Sequence, residues 1–89
     1  MSEDLTNFRN EINEIDEELI KILKNRMDIS IKIGKYKKEN NIQVLNTNRE
    51  KEVIDNIMKY NNKHNAQLEE EFIKELWTLL MNYSKKIQK

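Results

Sequence analysis

The chain has 89 residues, which allows one domain with a small core. Sixteen basic and sixteen acidic side chains cancel, which excludes the basic field that nucleic-acid binding requires, and the lack of cysteine excludes disulfides, thiolate metal sites and a cysteine nucleophile. With 37% apolar and 36% charged residues, the composition favours helices with one narrow buried face over a thick layered fold.

The sequence also lacks the features of a membrane or secreted protein. No apolar run is long enough for a membrane span, and residues 1–4 have neither the basic nor the apolar part of a secretory signal. We therefore expect a single domain over residues 1–89, located in the cytoplasm, with no nucleic-acid or membrane contact.

The first predicted element is a long helix from Leu5 to about Lys38. Apolar residues recur at alternating steps of three and four, the pattern of one helix face. They are Leu5, Phe8, Ile12, Ile15, Leu19, Ile22, Ile29 and Ile33. Such a helix is about 50 Å long, whereas a compact chain of this size has a radius of gyration near 12 Å. The helix would therefore extend beyond the chain's own core, and a second copy of the chain is the simplest candidate to pack against its exposed apolar face.

The chain's one glycine, Gly34, lies inside this helical pattern. Glycine costs about 1 kcal/mol relative to alanine in a helix interior, so a close neighbour is expected there. Either a helix of a partner chain packs against the bare backbone, or a ligand approaches it.

Two shorter helices are predicted after it. The period fails from Glu39 to Asn46, and Thr47 with Glu50 forms a capping box that opens a second helix ending near residues 60–62. An asparagine-rich turn covers residues 61–65, and a third helix runs from Gln67 to near the C-terminus. No strand pattern is present, so the predicted fold class is all-α with three helices per chain.

Two basic residues occupy the apolar face of the long helix. Arg26 stands at a position of the seam, the line of apolar residues along this helix. Lys37 follows 11 residues later, so the two side chains point nearly the same way about 16 Å apart. Cations on a buried face need an anionic partner. That partner is either a ligand or a glutamate of the protein, unless the long side chains reach out to water.

Polar residues also mark the other two helices. Arg49 and Glu50 open the second helix, where they either serve a site or only cap the helix and interact with its dipole. Ser84 and Gln88 extend the apolar stripe of the third helix, where they either serve a site or fray into solvent.

Arg9 needs separate treatment, because it precedes Arg26 by 17 residues. This spacing turns it about 100° away and about 25 Å along the axis, so one small ligand cannot touch both residues of one chain. Antiparallel pairing of the long helices in a dimer permits Arg9 of one subunit to reach Arg26 and Lys37 of the other.

Together these residues resemble the all-helical chorismate mutase family, in spacing as well as identity, over essentially the whole chain. The residues that carry the likeness are Arg9, Arg26, Lys37, the segment 46–50 and the segment 84–88. The resemblance implies an intertwined homodimer with two sites, each completed by the arginine near the other chain's N-terminus. It also implies the reaction, the rearrangement of chorismate to prephenate on the route to phenylalanine and tyrosine.

The implied chemistry needs no cofactor or metal, because a [3,3] rearrangement makes and breaks its bonds within one molecule. Holding the flexible arm of the substrate over its ring supplies the reactive conformer. By the resemblance, the partner's Arg9 and this chain's Arg26 bind the carboxylates with help from Ser84. Lys37 and Gln88 donate to the ether oxygen, where negative charge develops.

The resemblance assigns the remaining residues to the ring hydroxyl. Glu50 and the backbone near Asn46 hold the hydroxyl, and Arg49 organises that side. The family commonly has aspartate where this chain has Asn46. Asparagine is tolerated if the backbone makes the contact, whereas the site is looser if a side-chain charge orients Arg49.

Three alternatives stay open. A similar fold serves isochorismate pyruvate lyase, although Glu50 directly after Arg49 favours the mutase, since a carboxylate there suits the hydroxyl of chorismate. A non-catalytic helical module would use the same seam only to dimerise. The chain also fits a role beside another shikimate-pathway enzyme, since such mutase domains are often fused or partnered.

Overall fold

A computed structural model describes residues 2–89, which form three α-helices joined by short loops. They are α1 (Ser2–Glu39), α2 (Thr47–Lys63) and α3 (Glu70–Gln88). The prediction of one long and two shorter helices is confirmed, and no strand occurs in the described part of the chain. None of the three helices combines the length and the apolar character that crossing a membrane requires.

The long helix extends well beyond the rest of the fold. The radius of gyration is 16.7 Å and the longest dimension is 58 Å, whereas a compact chain of this length has a radius of gyration of about 12 Å. The apolar stripe in the N-terminal half of α1 is exposed; Phe8, for example, keeps 63% of its surface accessible. Ile73 of α3 is the one apolar residue that is fully buried among residues 2–89.

The core lies where α3 packs against both α1 and α2. The second half of α1 and the second half of α3 run parallel, because Ser30 faces Ser84 and Gly34 faces Gln88. A Cβ atom added at Gly34 would lie 2.7 Å from the Cα atom of Gln88. The close neighbour predicted at this glycine is therefore the chain's own α3 and not a helix of a second copy.

Replacing Gly34 with alanine is expected to destabilise the protein, because the new methyl group meets the backbone of Gln88 and not a flexible side-chain end. Overpacking of this kind typically costs about 1–3 kcal/mol. Thermal unfolding followed by circular dichroism should show a lower midpoint for Gly34→Ala, whereas Lys35→Ala, at the exposed neighbouring position, should leave it nearly unchanged. A higher midpoint for Gly34→Ala would mean that helix propensity outweighs the close approach.

The connection from α2 to α3 is fixed by Asn61, which is buried. Its amide nitrogen donates to the carbonyl of Leu68 at 2.9 Å, and its amide oxygen accepts from the Leu68 N–H at 3.1 Å. Asn65 and Gln67 have φ angles of 55° and 60°, in the left-handed region. The chain therefore leaves helical geometry here, and α3 begins at Glu70, later than the predicted Gln67.

Candidate active site

A pocket of about 560 Å³ opens between the second half of α1, the start of α2 and the end of α3. This volume lies within the range of about 300–1,000 Å³ that is usual for small-molecule sites. Seven of the eight residues singled out in the sequence line it: Arg26, Lys37, Asn46, Arg49, Glu50, Ser84 and Gln88.

Arg26 is held in the pocket by two serines. Its Nη1 atom donates to the Ser84 hydroxyl at 2.8 Å, and the Ser30 hydroxyl also donates to Ser84 at 3.1 Å. Both serines are buried. Desolvation by burial, followed by repulsion from Arg49, lowers the pKa of Arg26, but an arginine remains protonated in proteins. Among residues 2–89, Arg26 forms no ion pair.

The Ser84 hydroxyl accepts two hydrogen bonds, which occupy both of its lone pairs. Its own hydrogen is then left to donate. Ser84 is only 7% exposed, so it does not lie in a frayed helix end. The Arg26 and Ser84 pair thus presents donors, which suit an anionic group.

Lys37 reaches across to the loop between α1 and α2. Its Nζ atom donates to the backbone carbonyl of Val44 at 2.8 Å, in a half-buried position. Lys37 has no ion-pair partner in the part of the chain that the structure describes. An ammonium group has three hydrogens, so two stay available for a ligand.

Asn46 is the N-cap of α2, so the helix is capped one residue earlier than the predicted Thr47 box. Its side-chain oxygen accepts from the Arg49 N–H at 3.0 Å, and its backbone carbonyl accepts from the Glu50 N–H at 3.1 Å. The guanidinium of Arg49 forms an ion pair with Glu52 on the exposed side of the helix. Asn46 therefore binds the backbone of Arg49, and an amide can do this without a charge.

Removing this cap should cost stability. Asn46→Ala loses the acceptor for the Arg49 N–H, and replacement of such a cap by alanine typically costs about 1 kcal/mol. Asn46→Asp keeps the acceptor and adds a charge that favours the N-terminus of a helix, so its stability should equal or exceed that of the parent. Urea unfolding of the three proteins tests this, and equal midpoints for Asn46→Ala and the parent would contradict it.

Glu50, from the first turn of α2, contacts Lys85 of α3. The carboxylate Oε2 lies 2.8 Å from the Lys85 Nζ, and the two side chains are 28% and 30% exposed. Both residues line the pocket. Glu50 thus lies in the wall of the pocket as well as in the first turn of its helix.

Gln88 ends α3 beside Gly34 and also lines the pocket. Its side-chain oxygen is buried and has no hydrogen-bond partner among residues 2–89. Packing against α1 holds this residue, so it does not extend freely into solvent. A buried polar atom without a partner is costly, which is typical of a position where a ligand or a rearranged donor completes the bonding.

Arg9 is the one predicted site residue that the chain does not bring to the pocket. It lies on the exposed N-terminal half of α1 and forms no ion pair with any of residues 2–89. Its action across a dimer stays a prediction.

Sequence reasoning missed several contributors to the pocket, among them Ser30, Lys85 and the carbonyl of Val44. Ser30 had a usable signal, because it lies four residues after Arg26 and four before Gly34, on one helix face. Lys85 lies inside the segment 84–88, but nothing in its spacing distinguishes it from the other lysines near the end of α3.

Comparisons with known proteins identify the same family that the sequence resembles. The model of the family described as chorismate mutase type II matches residues 8–89. A bifunctional chorismate mutase/prephenate dehydratase from Buchnera aphidicola subsp. Acyrthosiphon pisum is 35% identical over 82 residues, which are 92% of this chain and 21% of that protein. A chorismate mutase from Methanocaldococcus jannaschii is 28% identical over 89 residues, which are 100% of this chain and 88% of that protein. This chain therefore spans about a fifth of the length of the bifunctional relative.

Proposed function

Because the chain belongs to the type II chorismate mutase family, we propose that it converts chorismate to prephenate in the pocket between α1, α2 and α3. The observation that supports the proposal most is that two of the cationic side chains lining the pocket have no ion-pair partner among residues 2–89. Four cationic side chains line the pocket, and two of them are already paired: Arg49 with Glu52, and Lys85 with Glu50. Arg26 and Lys37 are the other two.

Two unpaired cations match a ligand with two carboxylates. Burying a cation without an anionic partner is unfavourable, and a dianion supplies both partners at once. In the proposed complex, Arg26 and Ser84 donate to one carboxylate, since the serine hydrogen is left free by the two bonds that its oxygen accepts. Lys37 keeps Val44 as one partner and directs its other hydrogens to the ligand.

The rate enhancement comes from conformational restraint of the substrate and from hydrogen-bond donors that are already in position at the ether oxygen. Holding the substrate folded turns an infrequent conformer into the bound one. As the carbon–oxygen bond breaks, negative charge grows on the ether oxygen, and Lys37 and Gln88 donate to it more strongly in the transition state than in the substrate. In this proposal the amide nitrogen of Gln88 is the donor, because an amide oxygen and an ether oxygen both accept hydrogen bonds.

Glu50 and the start of α2 complete the site around the ring hydroxyl. A carboxylate accepts hydrogen bonds, so Glu50 suits a ligand hydroxyl as donor. Asn46 adds a backbone carbonyl and holds the first turn of α2 in place, with Arg49 beside it. No cofactor or metal takes part in this proposal, since the rearrangement is intramolecular.

The functional unit in this proposal is a homodimer in which Arg9 of each chain enters the pocket of the other. The exposed stripe on α1 supports it, because monomeric proteins rarely expose large contiguous apolar surfaces. An outer face of α3 that includes Phe72, Leu79 and Tyr83 is exposed as well. Light scattering at micromolar concentration should give the mass of two chains, and a folded monomer would remove the shared site.

The same proposal covers the cellular setting. Activity in the cytoplasm is expected from the cysteine-free sequence. The name of the Buchnera relative joins the mutase to a prephenate dehydratase. An enzyme that consumes prephenate is therefore the partner we propose for this chain.

The decisive experiment is to add purified protein to chorismate, follow the loss of its absorbance and identify the product. Prephenate formation supports the proposal, and Arg26→Ala serves as the inactive control. Isochorismate is tested in parallel. Release of pyruvate from isochorismate without prephenate formation would replace the proposed mutase with the lyase alternative, and inertness toward both substrates would favour a non-catalytic module.

A further inference from the structure

We propose that Lys85 is a positioning residue that fixes the Glu50 carboxylate as the acceptor for a ring hydroxyl, and so sets the specificity of the pocket for hydroxylated cyclic dicarboxylates. This inference rests on the proposed function, which it deepens. Lys85 thus has a different role from Arg26 and Lys37, the two pocket cations that are left to bind the carboxylates of the ligand.

The first support is the position of the ion pair. Among residues 2–89, the Glu50 and Lys85 pair is the only ion pair that joins two helices, and the other four link residues three or four apart in one helix. It ties the first turn of α2 to the last turns of α3. The bond therefore sets the place of the carboxylate relative to both walls of the pocket.

The second support is burial. The two side chains are only 28% and 30% exposed, whereas both residues of the Lys21 and Glu18 pair are 71% exposed. Exposed ion pairs contribute little and are screened by salt, but a pair shielded from water holds its geometry more firmly. Lys85 thus restrains the rotation of Glu50 more than a surface lysine would.

The third support is that no other cation among residues 2–89 forms an ion pair with this carboxylate. Arg49 is adjacent in sequence, yet its guanidinium forms its ion pair with Glu52 and not with Glu50. Lys85 approaches Oε2 of Glu50, and the carboxylate has a second oxygen that can accept from a ligand. Without Lys85, the Glu50 side chain would be free to turn toward the other cations of the pocket.

These contacts define the ligand group that the position selects. An ionised carboxylate accepts hydrogen bonds and donates none, so the ligand must present a donor. An ammonium donor is disfavoured, because the residues lining the pocket include four cations and one carboxylate. A neutral hydroxyl on the ring is the donor that fits, and a ligand without it would leave Glu50 without a ligand partner.

The test compares two stable bicyclic ether dicarboxylates that mimic the rearrangement transition state, one with the ring hydroxyl and one without it. Calorimetry gives the dissociation constants for the parent, Lys85→Met and Lys85→Arg. Lys85→Met should weaken binding of the hydroxylated compound about tenfold, because a hydrogen bond to a charged group loses its alignment. Binding of the deoxy compound should change by less than about twofold. Lys85→Arg should retain most of the preference for the hydroxyl.

Two further variants make the result specific to Glu50. In a Glu50→Gln background, Lys85→Met should have little additional effect, because the carboxylate that Lys85 positions is already absent. Lys86→Met is the matched control, since Lys86 is the exposed neighbour and does not line the main pocket. Circular dichroism checks that each variant is helical, and Lys85→Gln, which also removes the charge, replaces Lys85→Met if Lys85→Met fails to fold.

The inference is overturned if Lys85→Met weakens both compounds equally, if it weakens neither, or if its effect adds fully to that of Glu50→Gln. These results are distinguishable from failure of the proposed function, which the parent protein tests alone. If the parent converts chorismate and Lys85→Met still prefers the hydroxylated compound, only the proposed role of Lys85 is wrong. A parent that neither converts chorismate nor binds either compound removes both proposals.

Discussion

An equal mixture of the Arg9→Ala and Arg26→Ala variants is expected to regain roughly a quarter of the parent activity after subunit exchange, although each variant alone is nearly inactive. Truncating one partner of a buried charge pair costs about 2–5 kcal/mol, so each single variant should lose about thirtyfold to several thousandfold in kcat/KM. Arg26 lies in the pocket and Arg9 lies on the exposed half of α1. In the proposed dimer, where Arg9 completes the partner's pocket, a heterodimer has one site with both defects and one site with neither.

The measurement needs proof that heterodimers form. Chains carrying different affinity tags can be mixed, unfolded together, refolded and purified through both tags before assay. Lys21→Ala is a suitable exposed control on the same helix, and its mixture with the parent chain should keep full activity. Inactive heterodimers that contain both variants would show that Arg9 does not complete the partner's site.

Replacing Gln88 with glutamate should make the activity depend strongly on pH. An amide donates to the ether oxygen at any ordinary pH, whereas a carboxyl group donates only when protonated. Once ionised, it sets a negative charge against the oxygen on which negative charge develops. Gln88→Glu should therefore keep much of its activity in acid and lose about tenfold per pH unit above the pKa of the new carboxyl. The parent should stay comparatively flat.

Profiles of kcat/KM against pH for the two proteins decide this prediction. The buried position of the Gln88 side-chain oxygen should raise the pKa of the introduced carboxyl, which moves the loss of activity toward neutral pH. Gln43→Glu is the matched control, because residue 43 is exposed in the loop and does not line the pocket. Parallel profiles for Gln88→Glu and the parent would leave Lys37 as the only proposed donor at the ether oxygen.

The helices were predictable because their signal is periodic. The stripe from Leu5 to Ile33 specified α1 to within a few residues of its observed ends, Ser2 and Glu39. A face that recurs every three or four residues survives errors at single positions. Local signals were less reliable at the ends. The capping box at Thr47 was convincing, yet Asn46 takes the cap, because asparagine one residue earlier offers an equally good acceptor.

The site was predictable only in part. Arg26 and Lys37 could be found because each places a charge on an otherwise apolar face. Lys85 and the carbonyl of Val44 depend on how α3 and the loop meet the other helices, and no local spacing encodes that. The neighbour of Gly34 shows the same limit, since the missing side chain indicated a close approach but not which helix made it.

Ile73 is the one fully buried apolar side chain among the described residues, so a single chain has little core to hold it folded. If a second copy covers the apolar face of α1, folding and association become one equilibrium, and protein concentration becomes a determinant of stability. Dilution then lowers the melting temperature without any change in sequence. A substitution such as Gly34→Ala, which disturbs the packing of α3 on α1, would then also weaken dimerisation. The amount of the protein in a cell would set the fraction that is folded.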